Sequence, residues 1–292
     1  MPSTSEFRRG LRLITAALVS VIATACERVV TVNAPASETR LVVEARLERE
    51  KGAASADQQI RLSTTQGVFS TVTPSAVRGA TVDVVDDSGG KTVFAESTAE
   101  PGVYRASAMR LDVGRSYTLE IAWSGDQYRA TERMQAGVEM DSLFFRPRFG
   151  QLNPGPTLRA TIAAKDPGTP KNFYLWDQWI DGRRLVSPDS EVNSRVIASD
   201  ELFNGSPVRN FQPYDGWSVS AGQLIRVRQF SISEQAYRFY LTLSQQVDND
   251  GSPFGVPASS VRGNVANVSR PSRVALGYFI AGEYTELERR VP

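Results

Sequence analysis

The sequence of 292 residues contains no histidine and only one cysteine, Cys26. Without histidine, neither a Ser-His-Asp triad nor a Cys-His pair can form, and histidine-containing zinc and iron sites are excluded as well. A single cysteine also excludes a disulfide within one chain. Catalysis would therefore depend on paired carboxylates, a Ser-Lys dyad or a metal held by oxygen ligands. No cofactor motif stands out, so we predict no cofactor and a protein that is not an enzyme.

The sequence also lacks an excess of charge of either sign. It has 33 basic and 32 acidic residues, and the net charge at pH 7 is +1. A nearly neutral chain without a basic run has no electrostatic basis for binding nucleic acid. After residue 26, no stretch approaches the roughly 20 apolar residues that a membrane-spanning helix requires. We therefore expect no nucleic-acid partner, and we expect attachment to a membrane to depend on a lipid.

The stretch that precedes Cys26 has the parts of a bacterial lipoprotein signal. Three arginines lie within residues 8–12, an apolar run follows over residues 13–22, and small side chains stand just before the cysteine. An ordinary secretory signal explains these features but not a sole cysteine at the junction. We predict that residues 1–25 are removed and that acyl chains such as palmitate are attached to Cys26. Residues 26–39 are then a lipidated, polar spacer.

Residues 40–136 show the pattern of a β-sandwich. Short segments in which apolar and polar side chains alternate recur about every ten residues, and turn-forming residues separate them. The aspartate- and glycine-rich stretch at residues 86–90 is typical of a β-hairpin. Since no helix is indicated before residue 136, we predict a sandwich of the immunoglobulin or transthyretin-like type.

A second β-rich domain is predicted for residues 137–292. Glycines and prolines between residues 137 and 156 mark the joint between the domains. Further strands are indicated at residues 158–164, 173–180, 223–230 and 274–280. The predicted fold class is therefore mainly β: a sandwich is followed by a β-rich domain that carries one packed amphipathic helix.

That helix is expected near residues 233–247. Residues 231–234 have the shape of a capping box, which marks the start of a helix. At helical spacing, the side chains on the expected buried face are Tyr237, Tyr240, Leu241, Ser244 and Val247. We expect this face to pack across the sheet of the second domain, because a lone amphipathic helix has no other apolar surface to cover.

The most aromatic window of the chain is residues 173–180. Alternation places Phe173, Leu175 and Trp179 on one face of a strand and Tyr174, Trp176 and Ile180 on the other. One row could form a stacking platform for a sugar or a peptide, which makes Tyr174, Trp176 and Trp179 the candidate ligand-facing residues. The alternative is a central strand that is covered on both faces, and we favour it because both rows are apolar.

Two other motifs have weaker support. Residues 248–251 resemble the start of a calcium loop, but no glutamate follows before Glu283, so we interpret them as the turn that ends the helix. Ser88 and Lys91 have the spacing of a Ser-Lys dyad. Such a dyad needs a partly buried helix, whereas these residues lie in a predicted exposed hairpin. We therefore predict no metal site and no catalytic residue.

Paired carboxylates are the remaining route to an enzyme. The candidates in the second domain are Asp166, Asp177, Asp181, Asp189 and Glu191. A glycoside hydrolase needs two carboxylates at a defined separation, and no spacing in the sequence selects such a pair. A carboxylate-based hydrolase therefore stays an alternative.

Short motifs follow one another from Cys26 nearly to the end of the chain. Those that matter most lie at residues 41–44, 79–82, 102–104, 141–143, 166–167, 172–174, 203–205, 231–234, 253–254, 263–267 and 277–279. In this order and spacing they resemble the DUF4249 lipoproteins of Bacteroidetes and related bacteria. The resemblance implies an outer-membrane protein that is exposed at the surface and often accompanies a TonB-dependent transporter. The family has no assigned catalytic residue to transfer.

We therefore expect a lipid-anchored binding or accessory protein of the outer membrane, on its periplasmic or extracellular face. Its expected partners are the membrane, through the N-terminal lipid, and a TonB-dependent barrel. A structural or adhesive surface protein is the first alternative, and the hydrolase is the second.

Overall fold

The computed structural model describes residues 38–66, 74–150, 157–186, 195–247 and 261–292. Cys26 and the signal segment lie outside the described residues, as does nearly all of the spacer. The calcium-loop motif, Asp189 and Glu191 also lie outside them. The described part of the chain contains no helix with the length and hydropathy of a membrane span.

The described residues form sixteen β-strands and one α-helix, so the predicted mainly-β fold class is confirmed. The strands are β1 Leu41–Glu50, β2 Ser55–Thr64, β3 Thr81–Asp86, β4 Lys91–Glu96, β5 Val103–Arg110, β6 Ser116–Trp123, β7 Asp126–Arg133, β8 Met140–Pro147, β9 Leu158–Lys165, β10 Phe173–Ile180, β11 Arg183–Arg184, β12 Val196–Ser199, β13 Pro207–Phe211, β14 Leu224–Ser231, β15 Ala266–Asn267 and β16 Leu276–Arg290. The helix is α1 Glu234–Val247, and a short 3-10 turn covers Asp200–Leu202.

The first seven strands make a two-layered, sandwich-like unit. Strands β1, β2 and β5 form one layer, β3, β6 and β7 form the other, and β4 pairs with both β3 and β5. Every second side chain points inward, so that Val43 and Leu47 of one layer share a core with Val84 and Leu119 of the other. This arrangement follows from the alternation of apolar and polar residues, which is most regular in β2, β6 and β7.

Strand β16 connects the two halves of the chain. It pairs in parallel with β1 through its first part and antiparallel with β14 through its second part. Strands on both sides of residue 137 therefore share one sheet, and the division of the chain into two domains at that residue stays a prediction. The close pairing requires a glycine, because a Cβ at Gly277, where φ is +91°, would lie 2.0 Å from the Val43 carbonyl oxygen.

Strand β10 lies in the sheet beside β14 and is covered on both faces. On one face the small sheet β13-β9-β8 packs against it, and on the other face α1 does. Tyr174 and Trp176 belong to the first core, whereas Phe173 and Leu175 belong to the second. The predicted alternation and the predicted central strand are both confirmed.

The predicted helix is also confirmed, but its buried face is shorter than expected. Ser233 caps it, since its Oγ accepts a hydrogen bond from the Ala236 N–H at 3.2 Å. Ala236 is buried, and Tyr240 packs half-buried against the sheet. Leu241 and Val247 are 38% and 42% exposed, so their assignment to the buried face was wrong. Only the first turns of the helix reach the apolar part of the sheet.

Candidate functional site

A cavity of about 110 Å³ lies where β10 faces the small sheet. Large aromatic side chains from β10 face the small Ala164 of β9, and another small residue, Ala198 of β12, lies beside Tyr174 in the same sheet. Because an alanine does not reach across to the facing ring, the space between them stays open. The lining residues are Val138, Ile162, Ala164, Asp166, Tyr174, Trp176, Ala198, Phe203, Val208, Phe211 and Gln229.

Four aromatic rings form much of the cavity wall. The Tyr174 ring centroid lies 5.6 Å from that of Trp176 and 6.3 Å from that of Phe203, and Trp176 lies 4.6 Å from Phe211. These separations are those of favourable aromatic pairs. The rings support one another, so the wall is formed before anything binds.

Asp166 provides the carboxylate in this wall, and its oxygens are already occupied. Oδ1 accepts a hydrogen bond from the Tyr174 hydroxyl at 2.5 Å. Oδ2 accepts from the Gly205 N–H at 2.8 Å and from the Gly168 N–H at 3.2 Å. Burial, together with this carboxylate, raises the pKa of Tyr174 far above its usual range. Tyr174 therefore keeps its proton and serves as a hydrogen-bond donor.

The second polar group of the wall is the Gln229 amide. Its Oε1 accepts a hydrogen bond from Trp176 Nε1 at 3.1 Å, and its Nε2 donates to the Val138 carbonyl at 2.9 Å. With both polar groups satisfied by protein atoms, the cavity offers a mainly apolar surface. Such a surface can hold an apolar group by burial, whereas it provides no second carboxylate beside Asp166 among its described lining residues.

Trp179 lies on the opposite face of β10, as its position in the alternation predicts. The guanidinium carbons of Arg226, Arg228 and Arg184 lie 4.4, 5.3 and 5.6 Å from its ring centroid. Of the three candidate ligand-facing residues, Tyr174 and Trp176 thus share the cavity and Trp179 belongs to a charged environment. Contact of any of them with a ligand stays a prediction.

The carboxylates considered for hydrolysis are separated in the described structure. Asp166 lies at the cavity, Asp177 lies on the opposite face of β10, and Asp181 accepts a hydrogen bond from the Leu224 N–H in a turn. Ser88 and Lys91 do not form a dyad, because each binds an aspartate instead. In the described ranges, no group of three acidic, histidine or cysteine residues could hold a metal.

Sequence reasoning missed the half of the cavity that comes from distant segments. Phe203 and Phe211 were not selected as site residues, although residues 203–205 belong to a motif of the family resemblance. Their position depends on a close approach of two turns, in which a Cβ on Gly168 would lie 3.2 Å from the Gly205 Cα. Both glycines have positive φ. The glycine in each turn was therefore the feature of the sequence that could have indicated this close approach.

Comparison with known proteins identifies the family. The family model described as a domain of unknown function, DUF4249, matches residues 27–288. The chain belongs to the DUF4249 family. No curated protein matches this DUF4249 chain. Among solved structures, it is similar to a DUF4785 family protein from Legionella pneumophila subsp. pneumophila str. Philadelphia 1, with 9% identity and a TM-score of 0.23. The match covers 68% of this chain and 54% of the Legionella chain.

Proposed function

We propose that this DUF4249 protein is a lipid-anchored binding protein of the outer membrane that assists a TonB-dependent transporter. Acyl chains on Cys26 would hold it at the membrane, since each buried CH₂ contributes about 0.8 kcal/mol and several chains together give stable anchoring. The cavity beside Tyr174 and Trp176 is the observation that supports a binding role. Its wall is aromatic and is formed before a ligand binds. The polar groups of Asp166 and Gln229 in that wall already have hydrogen-bond partners within the protein.

The size of the cavity suggests what it would hold. An engineered apolar cavity of about 150 Å³ binds benzene, whereas pockets for drug-sized ligands measure about 300–1,000 Å³. A volume of about 110 Å³ therefore suits one apolar side chain, or the apolar end of a larger ligand. Burying such a group contributes about 1.5–3 kcal/mol, which is one anchoring contact within a larger interface. An accessory protein needs such a contact.

A pull-down from the native envelope tests this function. Tagged, acylated protein would be extracted in mild detergent and its partners identified by mass spectrometry. We expect a TonB-dependent barrel in near-equal amount. The Cys26→Ala variant, which lacks the anchor, should recover much less of it.

Two substitutions on strand β9 test the role of the cavity in that complex. Ala164→Leu places a larger side chain in the cavity, while Ala163→Leu makes the same change one residue earlier, on the other face of the strand. Both alanines are half-buried. We expect the barrel to be lost with Ala164→Leu and kept with Ala163→Leu. Recovery of the lipoprotein alone from every sample would contradict the accessory function and favour a structural or adhesive surface protein.

A further inference from the structure

A cluster of arginines lies around Asp177 and Trp179 on the face of β10 opposite the cavity. We name it the arginine face, and its members are Arg46, Arg184, Arg195, Arg226 and Arg228. The carboxylates paired with them are those of Asp177, Glu48 and Glu286. Among the described residues, five guanidinium groups thus share three carboxylates, and positive charge exceeds negative charge by two within this set. Each of the three carboxylates has more than one arginine beside it.

The excess lies around Asp177, whose side chain is 2% exposed. Its Oδ2 accepts a hydrogen bond from Arg46 at 3.0 Å. Its Oδ1 contacts Arg184 at 2.5 Å and Arg195 at 3.2 Å. Arg46 has a second carboxylate within reach, since Glu48 lies 3.5 Å away. Arg184 and Arg195 have no other ion pair in the described parts of the chain, so both share a single oxygen atom.

At the other end of the arginine face the charges are closer to balance. Glu286 lies 2.8 Å from Arg228 and 3.9 Å from Arg226. The exposed Glu288 stands directly across from Arg226 in the strand register. Within the part of the chain that the structure describes, the positive surplus is therefore concentrated at Arg184 and Arg195.

Both of these arginines can be reached by a ligand and both are supported by an aromatic ring. Their side chains are 30% and 23% exposed. The Arg184 guanidinium lies 5.6 Å from the Trp179 ring centroid, and that of Arg195 lies 5.8 Å from the Tyr240 ring centroid. Burial, with Arg46 and Arg195 nearby, lowers the pKa of Arg184, as expected where like charges are held together.

Unused hydrogen-bond donors accompany the unbalanced charge. The Nε atoms of Arg46, Arg184 and Arg226 are buried and find no acceptor within the described structure. A planar guanidinium offers its donors in a fork that matches the oxygens of a carboxylate or a phosphate. Of these three arginines only Arg184 belongs to the proposed pair, and an oxyanion beside Arg184 and Arg195 would supply that pair with a second negative charge and with acceptor oxygens.

We propose that Arg184 and Arg195, flanked by Trp179 and Tyr240, form a binding site for the oxyanion group of a sugar acid or sugar phosphate. The arginines bind the charged group, and the exposed part of an aromatic ring contacts the sugar ring. This site is independent of the cavity and of the proposed partnership with a transporter, because the two lie on opposite faces of β10.

Isothermal titration calorimetry on the full mature chain in detergent tests the site. The probes are glucose 1-phosphate, glucuronate and inorganic phosphate, with glucose as the uncharged control. We expect the two anionic sugars to bind, inorganic phosphate to bind more weakly, and glucose not to bind. Binding should weaken as sodium chloride is added, because the contact is charged and accessible to salt. Absence of binding by all three anions at low salt would overturn the proposal.

Substitutions locate the site. Arg195→Gln should lower the affinity for glucuronate by about tenfold or more, because a charge-assisted hydrogen bond is lost. Arg129→Gln, which removes an exposed pair with Glu120 on the sandwich, should leave it unchanged. Thermal unfolding of each variant verifies that it is folded. Equal affinity in Arg195→Gln and the wild type would overturn the assignment even if the anions bind.

A double variant tests whether acidic residues of the chain itself neutralise the two arginines. Asp189 and Glu191 stand between Arg184 and Arg195 in the sequence and lie outside the described residues. We expect the double variant Asp189→Asn, Glu191→Gln to bind glucuronate as the wild type does. If only the double variant binds it, the arginines are neutralised by their own chain, and the proposal is wrong.

Discussion

The two faces of strand β10 differ in how they satisfy buried polar groups. On the cavity face, Asp166 and Gln229 bond to neighbouring donors and acceptors, and an apolar space remains between them. On the opposite face, Asp177 receives three guanidinium groups, and no second described carboxylate pairs with Arg184 or Arg195. Polar side chains that are equally buried on the two faces of β10 thus prepare one surface for apolar groups and one for anions. The extent of burial does not distinguish these two roles, whereas the number of hydrogen-bond and ion-pair partners does.

Removing the central charge of the arginine face should have the largest effect on stability. Asp177→Asn preserves the shape of the side chain but leaves Arg46, Arg184 and Arg195 without their shared carboxylate. We expect the free energy of unfolding to fall by about 3–5 kcal/mol, as when one partner of a buried ion pair is lost. Urea denaturation measures this difference. Asp215→Asn is the control, because its pair with Arg148 is exposed and should be worth less than about 1 kcal/mol.

The same variant should change the pH dependence of stability. Burial by itself would raise the pKa of Asp177, but Arg46, Arg184 and Arg195 lower it well below its usual range. A depressed pKa in the folded state contributes stability above the unfolded pKa, near 3.8, and this stability is lost as the pH falls. Wild type should therefore lose more stability than Asp177→Asn between about pH 5 and pH 2. A cost below 1 kcal/mol at pH 7, or parallel pH profiles, would show that the network does not depend on this carboxylate.

On the cavity face a comparable change should cost less. Tyr174→Phe removes one of three donors to Asp166 and leaves the Gly168 and Gly205 amides in place. We expect a loss of about 1–3 kcal/mol in the free energy of unfolding, because one buried acceptor loses its hydroxyl partner. The control is Tyr240→Phe, whose hydroxyl makes no hydrogen bond in the described ranges. Equal losses in both variants would mean that the Asp166 contact adds nothing.

The smallest effect concerns the empty space itself. A small apolar probe such as benzene should raise the melting temperature of the wild type by about a degree, as weak binding to the folded state predicts. Ala164→Leu should abolish this shift. Because its added methylenes enter a space that already exists, it should change the free energy of unfolding by less than the roughly 1–3 kcal/mol that overpacking costs. Differential scanning calorimetry measures both quantities, with Ala163→Leu as the matched control. The same shift in all three proteins would place benzene elsewhere.

Local patterns predicted much of this fold and only part of the site. Alternation identified β10 and separated Trp179 from Tyr174 and Trp176, because side-chain direction in a strand depends on the nearest residues alone. Helical spacing located α1 but assigned Leu241 to the wrong face, since burial depends on where the sheet ends. Phe203, Phe211 and the arginines around Asp177 come from segments far apart in the sequence. Their meeting depends on strand order and register, which no local pattern records.

The parallel pairing of β1 with β16 has a consequence for how the protein is made. Strand β1 can pair with β2 early, but its pairing with β16 must wait until β16 has been synthesised, and contacts between such distant residues form slowly. Strand β16 also contributes Phe279 to the sandwich core, Ile280 to the core under the helix and Leu287 to the core beside the cavity. We therefore expect an incomplete chain to lack all three cores in finished form.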